Sequence, residues 1–97
     1  MSTQPNIRHV VFFSAKNKDD VSRIIEGLSL LAKIPHADVF EVCKNTRDDA
    51  LSGEVDVVVY AEFASSEALS AYKSHPLYQK SIEIVRPLRS LRIAADF

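Results

Sequence analysis

The sequence predicts an α+β fold in which one antiparallel sheet of four strands is covered on one face by helices. Two observations support this prediction. Segments of strand and helix periodicity follow one another in the order β-α-β-β-α-β, which is the ferredoxin-like arrangement. The chain has 97 residues, 46% of them hydrophobic and 26% charged, an ordinary composition for one globular domain. We therefore expect residues 1–97 to form a single domain.

The first strand is predicted over residues 7–14, where β-branched and aromatic residues dominate. Alternation places His9 among the apolar residues of one face and places Val10 and Phe12 on the other face. A strand with two apolar faces is normally covered on both sides, whereas the helices of this chain suffice for one side only. We therefore expect a second copy of the chain to cover the other face.

The first helix is predicted between Asn17, which is a suitable N-cap, and Pro35, which ends it. Gly27 lies inside this helix and weakens it by about 1 kcal/mol relative to alanine. A close approach of the helix to the sheet would explain this glycine. Apolar residues recur in this segment at helical spacing: Val21, Ile24, Ile25, Leu28 and Leu31.

The next two strands are predicted over residues 37–44 and 55–63, and the polar segment 45–54 between them is predicted to be an exposed loop. The strand at 55–63 has the strongest pattern in the chain. Its alternation places Val57 on one face and places Asp56 and Val58 on the other face.

A break in the second helical region is predicted at Pro76. Ser65 or Ser66 caps the helix that precedes the break. Proline disfavours a helical conformation in the residue before it and suits the first position of a new helix. A second helical segment is therefore expected from Pro76 to about Val85, and a last strand is expected over residues 88–97.

The break is also where candidate functional side chains are expected to gather. Tyr72, His75 and Tyr78 surround the predicted kink, where polar groups can face a cavity. Together with His9 of the first strand, they are the predicted ligand-binding residues. Polar groups beside an otherwise apolar lining are typical of a small-molecule site.

The charge balance argues against nucleic acid as a partner. Lys and Arg number 12 and Asp and Glu number 13, so the formal net charge is −1, whereas nucleic-acid binding needs concentrated positive charge. A run of three arginines near the C-terminus is interpreted as a solvated or dimer-rim face rather than as an anion site: Arg86, Arg89 and Arg92.

Other patterns argue against a membrane span, a metal site or a cofactor. No apolar run approaches the ~20 residues of a membrane helix, and the first six residues lack the apolar core of a signal peptide. Cys43 is the single cysteine and forms no internal disulfide, so a cytoplasmic location is predicted. The histidines His9, His36 and His75 have no close spacing, and no metal or cofactor is predicted.

Three segments at these spacings resemble a known family. They are residues 7–13 (IRHVVFF), residues 63–72 (FASSEALSAY) followed by His75-Pro76, and residues 92–97 (RIAADF). Together they are similar to the stress-responsive A/B barrel family, also called the Dabb domain. The resemblance implies a ferredoxin-like protomer, two of which pair sheet against sheet into a dimeric α+β barrel.

The family includes a plant polyketide cyclase, which this chain resembles at His9 and Tyr72. The second catalytic histidine of that enzyme ends a His-Pro-x-His motif, and this chain has Tyr78 at that position. The cyclase reaction needs a base that works near neutral pH, for which histidine is suited. The ordinary pKa of tyrosine is about 10, so the cyclase activity is not carried over to this chain.

Two functions remain open from the sequence. The preferred one is a homodimeric protein that binds a small apolar or aromatic molecule between sheet and helices. The alternative is an enzyme, polyketide-cyclase-like or a related lyase or oxygenase type. In that case His9 is the acid–base group, and Tyr72 and Tyr78 are the other catalytic residues, which hold an enolate or phenolate oxygen.

Overall fold

A computed structural model of the chain describes residues 7–97. The N-terminal stretch 1–6, for which the sequence predicts no signal peptide, lies outside the described residues. Four antiparallel strands form one sheet in the order β2-β3-β1-β4, which confirms the predicted sheet. The strands are β1 (Ile7–Ala15), β2 (Val39–Lys44), β3 (Val57–Phe63) and β4 (Arg89–Asp96).

The helices cover one face of this sheet, as expected for a ferredoxin-like fold. They are α1 (Val21–Ser29), α2 (Ser66–Ser74) and α3 (Pro76–Val85), and short 3₁₀ segments at Lys18–Asp20 and Leu30–Lys33 extend α1 at both ends. The side chain of Asn17 accepts a hydrogen bond from the backbone N–H of Asp19, so the predicted N-cap serves the first 3₁₀ segment. Among residues 7–97, none of the helices combines the length and the apolar content needed to cross a bilayer.

The predicted break between α2 and α3 is confirmed at His75. This residue has an extended backbone, with φ −70° and ψ 142°, and Pro76 occupies the first turn of α3. The ring Nδ1 of His75 accepts a hydrogen bond from the backbone N–H of Leu77 at 3.1 Å. At the other end of α2, the Ser65 hydroxyl accepts a hydrogen bond from the backbone N–H of Ala68. Both α2 and α3 therefore begin at a side-chain cap that the sequence supplies.

The inner face of the sheet, which the helices cover, contains the core. His9 lies opposite Ala61 of β3 on one side and opposite Asp96 of β4 on the other. The pattern of β3 alternates strictly between buried and half-buried residues, as the sequence predicts. Large buried side chains from the sheet and the helices form the core between them, among them Phe13, Ile24, Phe63 and Tyr72.

The outer face of the sheet has no cover within the described chain, yet it is largely apolar. Val10, Phe12 and Val58 are half-buried on this face. Ile93 lies opposite Phe12 and is 54% exposed, and Phe97 is 61% exposed. The sequence-based expectation of two apolar sheet faces with helices on only one is confirmed for residues 7–97.

Gly27 allows α1 to pack closely against α3. A Cβ atom at this position would lie 2.8 Å from Cγ2 of Ile84 and 2.9 Å from Cγ2 of Val85. The expectation of a close approach to the sheet is therefore wrong, because the neighbour is a helix. Both contacts would be shorter than normal van der Waals packing allows.

The first prediction tests this contact with the substitution Gly27→Ala. Helix propensity alone would stabilise the protein by about 1 kcal/mol, whereas overpacking costs about 1–3 kcal/mol. We expect a net loss of about 1 kcal/mol in the free energy of unfolding, measured by urea denaturation. Gly53→Ala is the control, because a Cβ atom there would meet nothing within 4 Å. A stabilised Gly27→Ala variant would contradict the close packing of α1 and α3.

Asp56 differs from its predicted position on the outer face of a strand. β3 begins at Val57, two residues later than predicted, so Asp56 precedes the strand, and its side chain is buried at 1% exposure. Its carboxylate accepts a hydrogen bond from the backbone N–H of Ala15 at 2.8 Å and pairs with Lys18 at 2.7 Å and with Arg47. These contacts join β1 to the start of β3.

Candidate functional site

A pocket lies between the inner face of the sheet and the helices α1 and α3. It holds about 420 Å³ of empty space, counting the part that opens to solvent. Side chains from both layers form its apolar wall, among them Val11, Phe13, Leu28, Val59, Ile82 and Val85. Its polar groups are His9, Tyr72, Tyr78, Ser81 and three arginines. Such a mainly apolar lining with a few polar groups is typical of a small-molecule site.

His9 is held in place by the C-terminal strand. The residue is 2% exposed, and its ring Nδ1 makes a hydrogen-bonded pair with the carboxylate of Asp96. Because a carboxylate accepts, this contact puts a proton on Nδ1. The second ring nitrogen, Nε2, makes no hydrogen bond within residues 7–97 and is available to a ligand in the pocket.

Tyr72 is the largest fully buried side chain and lies at the centre of an aromatic cluster. Its ring makes edge contacts with Phe63 at 4.9 Å, Tyr78 at 5.3 Å and His9 at 6.3 Å between centroids. Burial raises the pKa of Tyr72, the neighbouring Tyr78 adds to this, and Arg92 opposes it. The hydroxyl therefore stays protonated at neutral pH, where it can donate a hydrogen bond but cannot act as a base.

The structure brings together three of the four predicted ligand-binding residues. His9, Tyr72 and Tyr78 line the pocket. His75 is absent from that lining; it caps α3, and its ring lies against His36 at 6.2 Å. Of the three polar residues expected to face a cavity at the helix break, Tyr72 and Tyr78 therefore line the pocket, and His75 does not. Within residues 7–97, no group of three metal-ligating side chains converges.

Two polar residues of the site were not identified from the sequence patterns: Ser81, which lines the pocket, and Asp96, which pairs with His9. Ser81 is 2% exposed and makes no side-chain hydrogen bond within the described chain. Asp96, which orients His9, follows it by 87 positions in the sequence. The helical spacing of Ser81 from Tyr78 could have placed Ser81 on the pocket side of α3. The partner of His9 could not have been identified, because it depends on how β1 and β4 are aligned.

The three arginines also line this pocket. Arg86 follows α3, and Arg89 and Arg92 belong to β4. Arg92 lies opposite Phe13, whose side chain is buried on the inner face. Residues directly opposite in a sheet share a face. Arg86 and Arg92 are exposed to solvent and Arg89 is half-buried, as expected for a solvated face, and all three also line the pocket.

Comparisons with known proteins identify the family and confirm the fold. The model of the stress responsive A/B barrel domain matches residues 7–97. A dimeric ferredoxin-like protein of unknown function from Thermobifida fusca superposes with a TM-score of 0.81 at 26% identity, over 99% of this chain and 95% of the other. No curated protein matches the chain.

Two further solved structures are similar in fold at lower identity. A Dabb family protein from Mesorhizobium loti has a TM-score of 0.77 at 20% identity, covering 97% of this chain and 96% of its own. A putative antibiotic biosynthesis monooxygenase from Nitrosomonas europaea has a TM-score of 0.76 at 17% identity, covering 94% and 95%. These likenesses support the ferredoxin-like fold of the chain.

Proposed function

The chain belongs to the stress responsive A/B barrel domain family, and we propose that it is a homodimer that binds a small apolar or aromatic molecule in the pocket between its sheet and its helices. The observation that carries this proposal is the pocket itself. Its wall is apolar, and the polar groups of His9, Tyr72 and Tyr78 converge on it from two layers of the fold. An apolar wall supplies affinity by burial, and a few fixed polar groups select the orientation of the ligand.

The polar groups of the pocket are suited to recognising an oxygen atom. The protonated hydroxyl of Tyr72 can donate, and within residues 7–97 neither it nor the hydroxyl of Tyr78 has a hydrogen-bond partner. A ligand oxygen placed there could accept a hydrogen bond from this donor. Nε2 of His9 can accept or donate according to its protonation.

Pairing through the outer face of the sheet is part of the proposal. The protein from Thermobifida fusca is described as dimeric, and the outer face of this chain exposes Ile93 and Phe97. Arg8, on the same face, has a buried Nε atom without a hydrogen-bond partner within residues 7–97. A second protomer would cover the apolar side chains and could supply an acceptor for this group.

The cytoplasm is the location that we propose. The chain has one cysteine, Cys43, and so forms no internal disulfide. Proteins of oxidising compartments that are this small commonly depend on disulfides.

The second prediction concerns binding to this pocket and is tested by a thermal-shift screen of small aromatic compounds. A ligand present at ten times its Kd stabilises the folded state by about 1.4 kcal/mol, which corresponds to roughly 7 °C for a domain of this size. We expect His9→Gln and Tyr72→Phe each to weaken binding of such a ligand about tenfold, because each loses one polar contact.

His36→Gln is the matched control, because His36 lies outside the pocket lining. It should leave the ligand-induced shift unchanged. If His9→Gln and Tyr72→Phe also retain the full shift, the ligand binds elsewhere and the pocket proposal fails.

The second candidate function is an enzyme, and the pairing of His9 with Asp96 favours it. A carboxylate on Nδ1 fixes the ring and leaves Nε2 as a general base that can remove a proton from a bound carbon or oxygen acid. Tyr72 would donate a hydrogen bond to the enolate or phenolate oxygen that develops, and Tyr78 would assist it. Turnover that is lost in both His9→Gln and Asp96→Asn, with ligand binding retained in Asp96→Asn, would favour catalysis over simple binding.

The comparisons leave the class of reaction open. The similar protein from Nitrosomonas europaea is described as a putative antibiotic biosynthesis monooxygenase. At 17% identity, the resemblance supports the shared fold and not a shared reaction. The oxygenase type is therefore the weaker form of the enzyme hypothesis.

A further inference from the structure

Three arginines line the pocket, of which two are exposed to solvent and Arg89 is half-buried. Arg86 comes directly after α3, and Arg89 and Arg92 lie on β4, the edge strand beside β1. A shift of register between Ser14 and Ala15 places Arg89 opposite Ala15, while Arg92 lies opposite Phe13. The helix end and the edge strand thus bring the three side chains to one pocket.

None of these arginines forms an ion pair within the described chain. The ion pairs among residues 7–97 involve His9, Lys18, Arg23 and Arg47, and no carboxylate lies within 4.0 Å of the three guanidinium groups. Burial lowers the pKa of Arg89, and the charges of Arg92 and Arg86 lower it further. Like charges that are held together without a partner oppose folding, and a bound anion would relieve this repulsion.

The guanidinium groups also act on the tyrosines of the site. The charge of Arg92 opposes the rise in the pKa of Tyr72, and Tyr78 opposes the fall in the pKa of Arg89. Arg89 and Arg92 line the same pocket as Tyr72 and Tyr78. The chain as a whole has a formal net charge of −1, so this concentration of positive charge is a local feature of the pocket.

We infer that the pocket takes a small aromatic carboxylate, with its ring against the apolar wall and its carboxylate toward Arg89 and Arg92. This inference rests on the proposed binding function and adds the chemical class of the ligand. Guanidinium matches a carboxylate with two parallel hydrogen bonds. The hydroxyls of Tyr72 and Ser81 are further donors in the same pocket. Arg86 adds positive charge to the lining of the pocket.

The test is an NMR titration of the wild-type protein with three probes at fixed ionic strength. Benzoate has both a ring and a charge, benzamide keeps the ring and its planar shape without the charge, and acetate keeps the carboxylate without the ring. We expect benzoate to bind at least tenfold more tightly than either of the others. A preference of this size corresponds to one or two charge-assisted hydrogen bonds together with ring burial.

Substitution of the arginines should remove the preference for the carboxylate. We expect Arg89→Gln and Arg92→Gln each to weaken benzoate binding about tenfold and to leave benzamide binding nearly unchanged. Lys80→Gln is the control, because it makes the same change in net charge on an exposed part of α3 outside the pocket. It should leave all three affinities unchanged.

The possible failures are distinguishable. Equal binding of benzoate and benzamide would overturn the carboxylate inference and leave the proposed binding function intact. Equal binding of acetate and benzoate would mean that the arginines attract any small anion and that the ring adds no affinity. This result would also overturn the carboxylate inference. If neither ring compound binds, both the inference and the proposed function for such ligands fail.

Discussion

Replacing Val58 by aspartate is expected to convert the proposed dimer into monomers. Val58 lies at the centre of the outer face, opposite Phe12 of β1 and Cys43 of β2. A second protomer would enclose this position in apolar surface, and a carboxylate buried there without a partner costs several kcal/mol. We expect the dissociation constant of the dimer to rise more than 100-fold, measured by sedimentation velocity.

Leu51→Asp is the matched control for this experiment. Leu51 is 94% exposed in the loop between β2 and β3, so the same change of side chain there should leave the dimer intact. The proposal of pairing through the sheet would be contradicted if the wild type sediments as a monomer at micromolar concentration. It would also be contradicted if Val58→Asp remains a dimer.

Replacing Asp56 by alanine is expected to produce the largest loss of folding stability. The substitution leaves the backbone N–H of Ala15 without its acceptor and removes the pairs with Lys18 and Arg47. A buried donor without a partner costs about 1–3 kcal/mol, and hydrogen bonds to charged groups contribute about 1.5–3 kcal/mol each. Because the side chains of Lys18 and Arg47 are 60% and 47% exposed, their pairs with Asp56 are partly screened by solvent, and we expect a total loss of about 3 kcal/mol in urea denaturation.

Asp56 should also make stability depend on pH. Burial acts to raise its pKa, but hydrogen bonds from Lys18 and Ala15 and the charges of Lys18 and Arg47 outweigh burial and lower it. The unfolded chain, with an aspartate pKa near 3.9, then binds a proton before the folded chain does. The contribution of Asp56 is therefore present above about pH 4 and is lost as the pH falls through the lower folded-state value.

The controls for Asp56 separate this effect from general acid denaturation. Asp48→Ala, at an exposed position without a side-chain contact in the described chain, should change stability by less than about 0.5 kcal/mol. The difference in stability between wild type and Asp56→Ala should shrink below pH 4. A difference that stays constant down to pH 2 would mean that the Asp56 carboxylate is not held in its ionised form by these contacts.

Local patterns in the sequence were sufficient to predict most of the fold. The helix break at His75-Pro76 follows from the steric effect of proline on the preceding residue, and the alternation in β3 follows from side-chain direction. Both effects act within a few residues of the chain. The two apolar faces of β1 likewise indicated an uncovered outer face, which the structure confirms for residues 7–97.

Features that depend on strand alignment could not be predicted from the same patterns. The pairing of His9 with Asp96 and the position of Arg92 on the inner face depend on the register of β1 with β4. A shift of one residue would turn every side chain of β4 to the other face. The close contact at Gly27 was expected with the sheet and is made with α3 instead. Periodicity shows which face of α1 is apolar, but it does not show which element packs closely against Gly27.

The most direct test of the central claim is to map where a small aromatic carboxylate binds, using the methyl resonances of four valines. Val11 and Val59 line the pocket, whereas their chain neighbours Val10 and Val58 point to the outer face of the sheet. Binding in the pocket predicts large shift changes for Val11 and Val59 and small ones for Val10 and Val58 as benzoate is added. Changes confined to Val10 and Val58, or saturable binding that leaves all four unchanged, would contradict the account.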